Sequence, residues 1–477
     1  MIRLVMVLAV AAVATAADVD DWYKVSLNGV HAGWGHVTER ISGDVRTMTS
    51  TESISIGRGA AEVTVVATTV WVDHVDGTPV SMTWTQEMGD QPVETVWRFR
   101  DDEIDIRTTQ DGRVNRSTRA APSEPWLTPA AAQEELARRA AAGETRMSWR
   151  TMVPDLGATA VLQRMEFLGE QTETLAGQAG ALSRWKVTIE GLPVAMETAF
   201  SSSWRPVINT LRAPFGDIRS VLSTRAEATA ALGGPPPELF VSLFVEPSSG
   251  TIDRQLEATR AFMRLRTRDG EPLDLPSSGA QTIAGARDGA VLLQVNASGG
   301  QPPVRPVDMH ACLAPSGMID AGDEAIRRFA SQAVADVPQD AASRAEALRE
   351  AVHSWISTKG LTTAFASASE TVRKRTGDCS EHGVLLAAAL RAEGIPSRVA
   401  TGLVWMGALD AFGWHMWTQA FIDGAWVDLD ATLPTPFSVG HILVATSTLQ
   451  DGDGQRQLTG LLTLLGNLEV DIIRVDR

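Results

Sequence analysis

Only two cysteines, Cys312 and Cys379, occur in the 477 residues. So few thiols cannot form a disulfide framework, and no Cys-x-x-Cys, His-Glu-x-x-His or paired Cys/His spacing marks a zinc site. No metal and no cofactor are therefore expected. Basic residues are outnumbered, with 42 Lys+Arg against 58 Asp+Glu and a formal net charge of −16. That balance disfavours a phosphate-backbone binder, so nucleic acid is set aside as a partner. Long apolar runs are missing too. Leu4 to Val13, behind Arg3, is shorter than the roughly 20 residues a membrane-spanning helix needs, and no integral membrane association is expected. Ala14-Thr15-Ala16 has the small-residue spacing of a signal-peptidase site, so residues 1–17 read as a signal peptide. With no cysteine near that point to carry a lipid anchor, export to the periplasm, cell envelope or extracellular space is expected.

What is present belongs to a folded, multidomain chain: 44% hydrophobic and 21% charged residues are ordinary for globular proteins. The fold class is α+β. Residues 18–232 read as an antiparallel β-rich region of one or two lobes, since Ile54, Ile56, Val63, Val65, Val70 and Val72 recur at period two. Asp76-Gly77 and Asp111-Gly112 are hairpin-type turn signals. One helix interrupts the strands: Thr128 can cap it, Pro129 suits its first position, and Gly143 can end it. Gly233-Gly234-Pro235-Pro236-Pro237 reads as a linker, and 233–303 as that linker with a small β-subdomain. The last region, 304–477, places helices over Glu324–Ala333, Ala341–Ser357, Ala364–Arg375 and Ser380–Glu393, then strands over Ser397–Trp405, His415–Ile422 and Ala425–Asp430.

Chemistry concentrates in that last region. Cys379 stands at the first turn of the Ser380–Glu393 helix, where unpaired backbone N–H groups favour a thiolate. The bland reading of a lone cysteine is a small buried hydrophobe, but Gly377, Asp378, Ser380 and Glu381 make a polar setting. If Asp423-Gly424 forms a two-residue hairpin loop, Ile422 faces Ala425 and Asp430 falls opposite Trp417. His415 and Asp430 then share a face as diagonal neighbours, within hydrogen-bonding reach of each other. A three-residue loop would put them on opposite faces.

Taken together in this order, Gly377-Asp378-Cys379, Leu390-Arg391-Ala392-Glu393-Gly394-Ile395-Pro396-Ser397-Arg398, His415-Met416-Trp417 and Trp426-Val427-Asp428-Leu429-Asp430-Ala431-Thr432 resemble the transglutaminase-like superfamily, over roughly residues 340–450. The resemblance implies a papain-like core with Cys379 as nucleophile, His415 as general base and acid, and Asp430 as the carboxylate that fixes the imidazole. It also implies attack of the thiolate on an amide carbonyl and transfer of the thioester to an amine or water. Peptidases, amidases, acyltransferases and inactive relatives all share the fold. The expected function is thiol-dependent hydrolysis or acyl transfer on protein or peptide substrates, including those of the cell envelope. Hydrolysis is preferred because water always reaches the thioester. The alternative is a noncatalytic envelope binding or scaffold protein.

Three positions depart from the family pattern: Met416 replaces Ala, Gln419 stands where a Glu is common, and Ala431 replaces Pro. The carboxylate missing at Gln419 removes an acceptor that could order its neighbours. Glu381 and His382 read as helix-start residues, and His441 as a packed core residue. Trp405, Trp414, Trp417 and Trp426 read as core packing before cleft walls. A Cys312–Cys379 disulfide is a rival arrangement that would quench the nucleophile.

Overall fold

The computed structural model describes residues 19–58, 61–87, 92–110, 112–175, 178–192, 194–213, 216–232, 244–304, 306–359, 366–435, 437–450 and 460–477. The signal-peptide segment 1–17 and the linker residues 233–237 lie outside them, as does Asp111 of the second turn signal. The chain divides into two compact units, with the break between Leu239 and Phe240.

The N-terminal unit is built on one 14-stranded sheet. Eight strands from Val19–Leu27 to Arg113–Ala120 run as an antiparallel meander, and six from Arg146–Met152 to Gly216–Ser223 run as another. The first and last strands of the unit pair with each other, Val25 opposite Ser220, so the possible two lobes are one continuous sheet. Val19–Leu27 alternates buried with less buried side chains, so one face of that strand is core. The Asp76-Gly77 turn is present: Gly77 takes φ 89° and its N–H donates to His74 O at 2.8 Å. Between the meanders lies the helix Pro129–Ala141, capped by Thr128, whose hydroxyl also donates to Asp73. It buries Ala132 and Leu136 against Trp149, Met165 and Phe200.

The C-terminal unit has a helical layer, a six-stranded antiparallel sheet system and a four-stranded antiparallel sheet. Five elements position the site: α1 (Cys379–Ala392), β1 (Ser397–Met406), β2 (Ala411–Ile422), β3 (Ala425–Leu429) and β4 (His441–Ser447). Helix α1 is apolar nearly all round, with Val384 to Leu390 fully buried. Such a helix must be surrounded. The helices Glu324–Ala333 and Ala341–Trp355 cover it on one side, and Met416 and Ala420 of β2 on the other.

The segment read as a small β-subdomain pairs with strands of this unit. Arg260–Thr267 pairs with the C-terminal strand Leu468–Asp476, Phe244-Val245 pairs with β2, and Gly300-Gln301 pairs with β3. The physical reason is burial. Ala261, Met263, Leu265, Leu293 and Val295 form an apolar face that packs on Leu403, Phe412 and Ile442 of the main sheet. Alone, that face would be open to water. Among the described residues no helix is long and apolar enough to cross a membrane.

Candidate active site

The pentapeptide Gly377 to Glu381 is a helix start with little freedom. Asp378 is the N-cap of α1, accepting from the Ser380 N–H at 2.8 Å and the Ser380 hydroxyl at 2.6 Å. Glu381 closes a capping box by accepting the Asp378 N–H at 2.7 Å, and also accepts from the Ala366 N–H at 3.0 Å. Glu381 presses so closely on Gly377 that a Cβ there would sit 2.4 Å from Glu381 Cβ, which only glycine avoids. Burial, then the neighbouring Asp378, pushes the Glu381 carboxyl up. These contacts give Glu381 the helix-start role read from sequence and leave Cys379 half-buried at the first helical position.

His415 lies on β2, paired with Gly402 of β1. The Asp423-Gly424 loop has two residues, with φ of 48° and 82°, and Ile422 faces Ala425. Thr418 faces Leu429 and Gln419 faces Asp428, which carries Asp430 to the His415 side. The His415 Nε2–H donates to Asp430 Oδ2 at 2.8 Å. The Cys379 thiol lies close enough to the same ring to help raise its proton affinity. Structure thus brings Cys379, His415 and Asp430 together, with His415 and Asp430 buried.

Asp430 is fully enclosed, and its two oxygens are used differently. Oδ1 accepts the Thr432 N–H at 2.8 Å. Because the donor is the backbone of Thr432, Ala431 in place of proline leaves this bond intact. Oδ2 accepts from His415 and from His441 Nε2, the latter at 3.1 Å. Burial opposes ionisation of Asp430, but the two imidazoles outweigh it and hold the carboxyl well below the usual carboxylate range. Burial likewise opposes charge on His415, and Asp430 with Cys379 outweighs it, raising the imidazole to about 10.

His441, read from sequence as core, is buried but is the second imidazole on Asp430. Its Nδ1 lies 3.1 Å from Ser438 O and 3.4 Å from the Ser438 hydroxyl, which also accepts from Gln255. One partner only accepts and the other can donate, so the ring keeps its Nε2 proton on Asp430 in either charge state. No spacing signal marks His441, because β4 reaches the site only through its pairing with β1, Val404 opposite His441.

Nitrogen and oxygen atoms of His415, Asp430 and His441 cluster within 4.8 Å, a set that could be taken for a metal centre. Two ligands on one tetrahedral zinc at ~2.0–2.1 Å stand about 3.3 Å apart. The N···O distances of 2.8 and 3.1 Å are shorter, and a proton fits between them.

Gln419 sits at the centre of a buried hydrogen-bond cluster. Its Oε1 accepts from Arg398 Nε at 3.0 Å, Arg398 Nη2 at 2.9 Å and the Ser278 hydroxyl at 3.2 Å, and its Nε2 donates to Asp428 Oδ1 at 2.8 Å. Asp428 also accepts from Trp417 Nε1 at 2.7 Å and the Ala280 N–H at 2.7 Å. Gly279, at φ 60°, makes room for this: a Cβ would lie 2.0 Å from Asp428 Oδ2. Trp417 in turn lies stacked beside His415, ring centroids 6.2 Å apart. Trp405, Trp417 and Trp426 are buried core residues.

Both cysteines are free, with Cys312 buried in the short helix Met309–Leu313. The rival disulfide is absent from this structure.

A thiol at a helix N-terminus thus stands beside an imidazole that hydrogen-bonds a buried carboxylate. Residues 327–431 match the family described as the transglutaminase-like superfamily, so the C-terminal unit contains a transglutaminase-like domain. No curated protein matches the sequence. Among solved structures, the chain is similar to a candidate cysteine protease from Cytophaga hutchinsonii (16% identity, 46% of this chain and 86% of that one, TM-score 0.30). It is also similar to a β-barrel-like protein of a domain of unknown function from Brucella abortus (12% identity, 43% and 95%, TM-score 0.36). A candidate protease from Parabacteroides distasonis covers more of the chain (12% identity, 76% and 68%, TM-score 0.20).

Proposed function

We propose that the C-terminal domain carries out thiol-dependent hydrolysis or acyl transfer on amide bonds of protein or peptide substrates. The observation that carries this reading is the His415 imidazole held between Asp430 and Cys379. With its pKa raised to about 10, His415 is an imidazolium at neutral pH and stands beside Cys379 as the counter-ion of the attacking sulfur. The thiolate adds to the amide carbonyl, and the backbone N–H of Cys379 donates to the developing oxyanion. His415 then passes its proton to the leaving amine, the C–N bond breaks and a thioester remains. Water or a second amine, deprotonated by the now neutral His415, attacks the thioester and frees the thiolate. Hydrolysis is favoured because water needs no binding site. A scaffold without chemistry has no use for a carboxylate buried between two imidazoles. Export of the mature protein, resting on the Leu4–Val13 run and its small-residue end, sets the proteins and peptides of the envelope or exterior as substrates.

Alkylation by iodoacetamide, followed by intact mass across pH, tests the proposal. Cys379 is expected to label rapidly at pH 6 while buried Cys312 stays unmodified, and His415→Ala is expected to slow labelling by roughly 10²-fold, because a free thiol of pKa ~8.5 is largely protonated there. Labelling no faster than in denatured protein, and unchanged in His415→Ala, would sink it. Incubation of the native protein with envelope extract, beside Cys379→Ala, then identifies the acyl group from the mass added to Cys379.

A further inference from the structure

The N-terminal unit holds a partly open cavity of about 140 Å³. Its wall is largely apolar, with Trp71, Trp84, Leu136, Met165 and Phe200 among the lining residues. Polar side chains interrupt that wall, among them Glu52, Gln86, Gln133, Asp155 and Gln163, and the Trp149 indole lines it as well. Gln86 is 5% exposed, yet its Oε1 has no hydrogen-bond partner, and neither has the Trp149 indole N–H. Unsatisfied buried groups of this kind each cost roughly 1–3 kcal/mol, and two on one cavity wall point to something that satisfies them.

We propose that this cavity binds an uncharged amphiphile, a compact apolar body with an amide or hydroxyl head. The size fits, since a dry apolar cavity of about 150 Å³ takes a benzene molecule. The head is fixed by what it must complete: it accepts from Trp149 and donates to Gln86. Glu52 adds a further donor, because burial, with the like charge of Asp155 added, pushes its carboxyl up to about 8 and keeps it protonated at neutral pH. A carboxylate head would face Glu52 and Asp155 and is rejected. An apolar body without a head leaves Gln86 and Trp149 unsatisfied and binds less well. The site lies wholly within the N-terminal unit and is independent of the Cys379 chemistry.

The probes are benzamide, p-cresol, toluene and benzoate, added to the full-length protein and followed by calorimetry and ligand-detected NMR. Benzamide and p-cresol are expected to saturate one site, toluene to bind about fivefold more weakly for each neutral hydrogen bond forgone, and benzoate not to saturate. Gln86→Leu is expected to weaken benzamide by about fivefold and to leave toluene unchanged or tighter. Met165→Trp, filling the cavity, is expected to abolish binding of benzamide, p-cresol and toluene. Absence of saturable binding by benzamide and p-cresol overturns the proposal. So does benzoate or toluene binding as tightly as benzamide, or benzamide affinity that Gln86→Leu leaves unchanged. Should Met165→Trp fail to fold by circular dichroism, Gln86→Leu still decides.

Discussion

Each unit buries a carboxylate, and the two behave in opposite ways. Asp430 in the C-terminal unit is completely enclosed, accepts from His415 and His441, and stays ionised far into acid. Glu52 in the N-terminal unit is 5% exposed, has Asp155 as its charged neighbour, and is neutral at pH 7. Desolvation is similar, and the partners decide the sign. One site holds a charge pair suited to moving protons. The other holds a neutral donor suited to recognising a neutral head.

The pH windows follow from the same contrast. His415 is raised from 6.5 to about 10, so its contribution to stability is complete below pH 6.5 and is lost as pH rises through 10. Asp430 is lowered, so its contribution is present above pH 3.8 and is lost as pH falls below that. Glu52 is raised from 4.5 to about 8, so its contribution is complete below pH 4.5 and is lost as pH rises through 8. Between pH 5 and 6.5 the strands around Glu52 should therefore weaken while those around Asp430 and His415 do not.

The most damaging change should be removal of the ionised member. Asp430→Ala leaves two imidazoles without their acceptor and is expected to cost about 3–5 kcal/mol of C-terminal stability, with Cys379 alkylation at pH 6 slowed by roughly 10²-fold. Chemical denaturation and timed mass spectrometry measure the two effects; a fully stable variant with wild-type labelling would show that Asp430 orders nothing.

Erasing the titration at the other carboxyl should have the opposite sign. Glu52→Gln keeps the shape and a donor, and is expected to stabilise the N-terminal unit at pH 9 by roughly 2–4 kcal/mol while changing little at pH 4. Amide hydrogen exchange in the strand Val45–Arg58 reads this out, and an equal effect at both pH values would contradict a protonated Glu52.

Restoring the family's glutamate should harm this chain. Gln419→Glu replaces an N–H donor to Asp428 by an oxygen, placing two carboxylates together, and is expected to lower the melting temperature by an amount equivalent to about 1–3 kcal/mol. Unchanged melting would mean that the Arg398 guanidinium compensates. The smallest effect is expected at His441, a positioning residue. His441→Gln should slow Cys379 alkylation by about tenfold through loosened orientation of Asp430, and the pH at which labelling falls off should move with it. A change in stability alone would leave His441 a merely structural residue.

Much of the site was legible because its parts are local. A cap, a cysteine and a capping-box glutamate within five residues specify a helix start, and the φ > 0 demand of Asp423-Gly424 fixes a register that brings His415 and Asp430 to one side. His441 and the Gln419–Asp428–Gly279 cluster were not legible, since each depends on strands that meet only through sheet pairing. The N-terminal sheet was legible as an antiparallel β-rich region, whereas its continuity rests on Val19–Leu27 pairing with Gly216–Ser223.

By itself, then, the sequence determined the α+β class, the alternation that makes the N-terminal strands, and the local geometry of Cys379, His415 and Asp430. Those features follow from periods and turns spanning a few residues. Only the tertiary structure decided that residues 244–301 join the C-terminal unit, that a second imidazole completes the buried Asp430, and that Glu52 faces a cavity with unsatisfied polar groups beside it. Burial and charge proximity set those outcomes. Both are properties of residues far apart in the chain, and no local pattern records them.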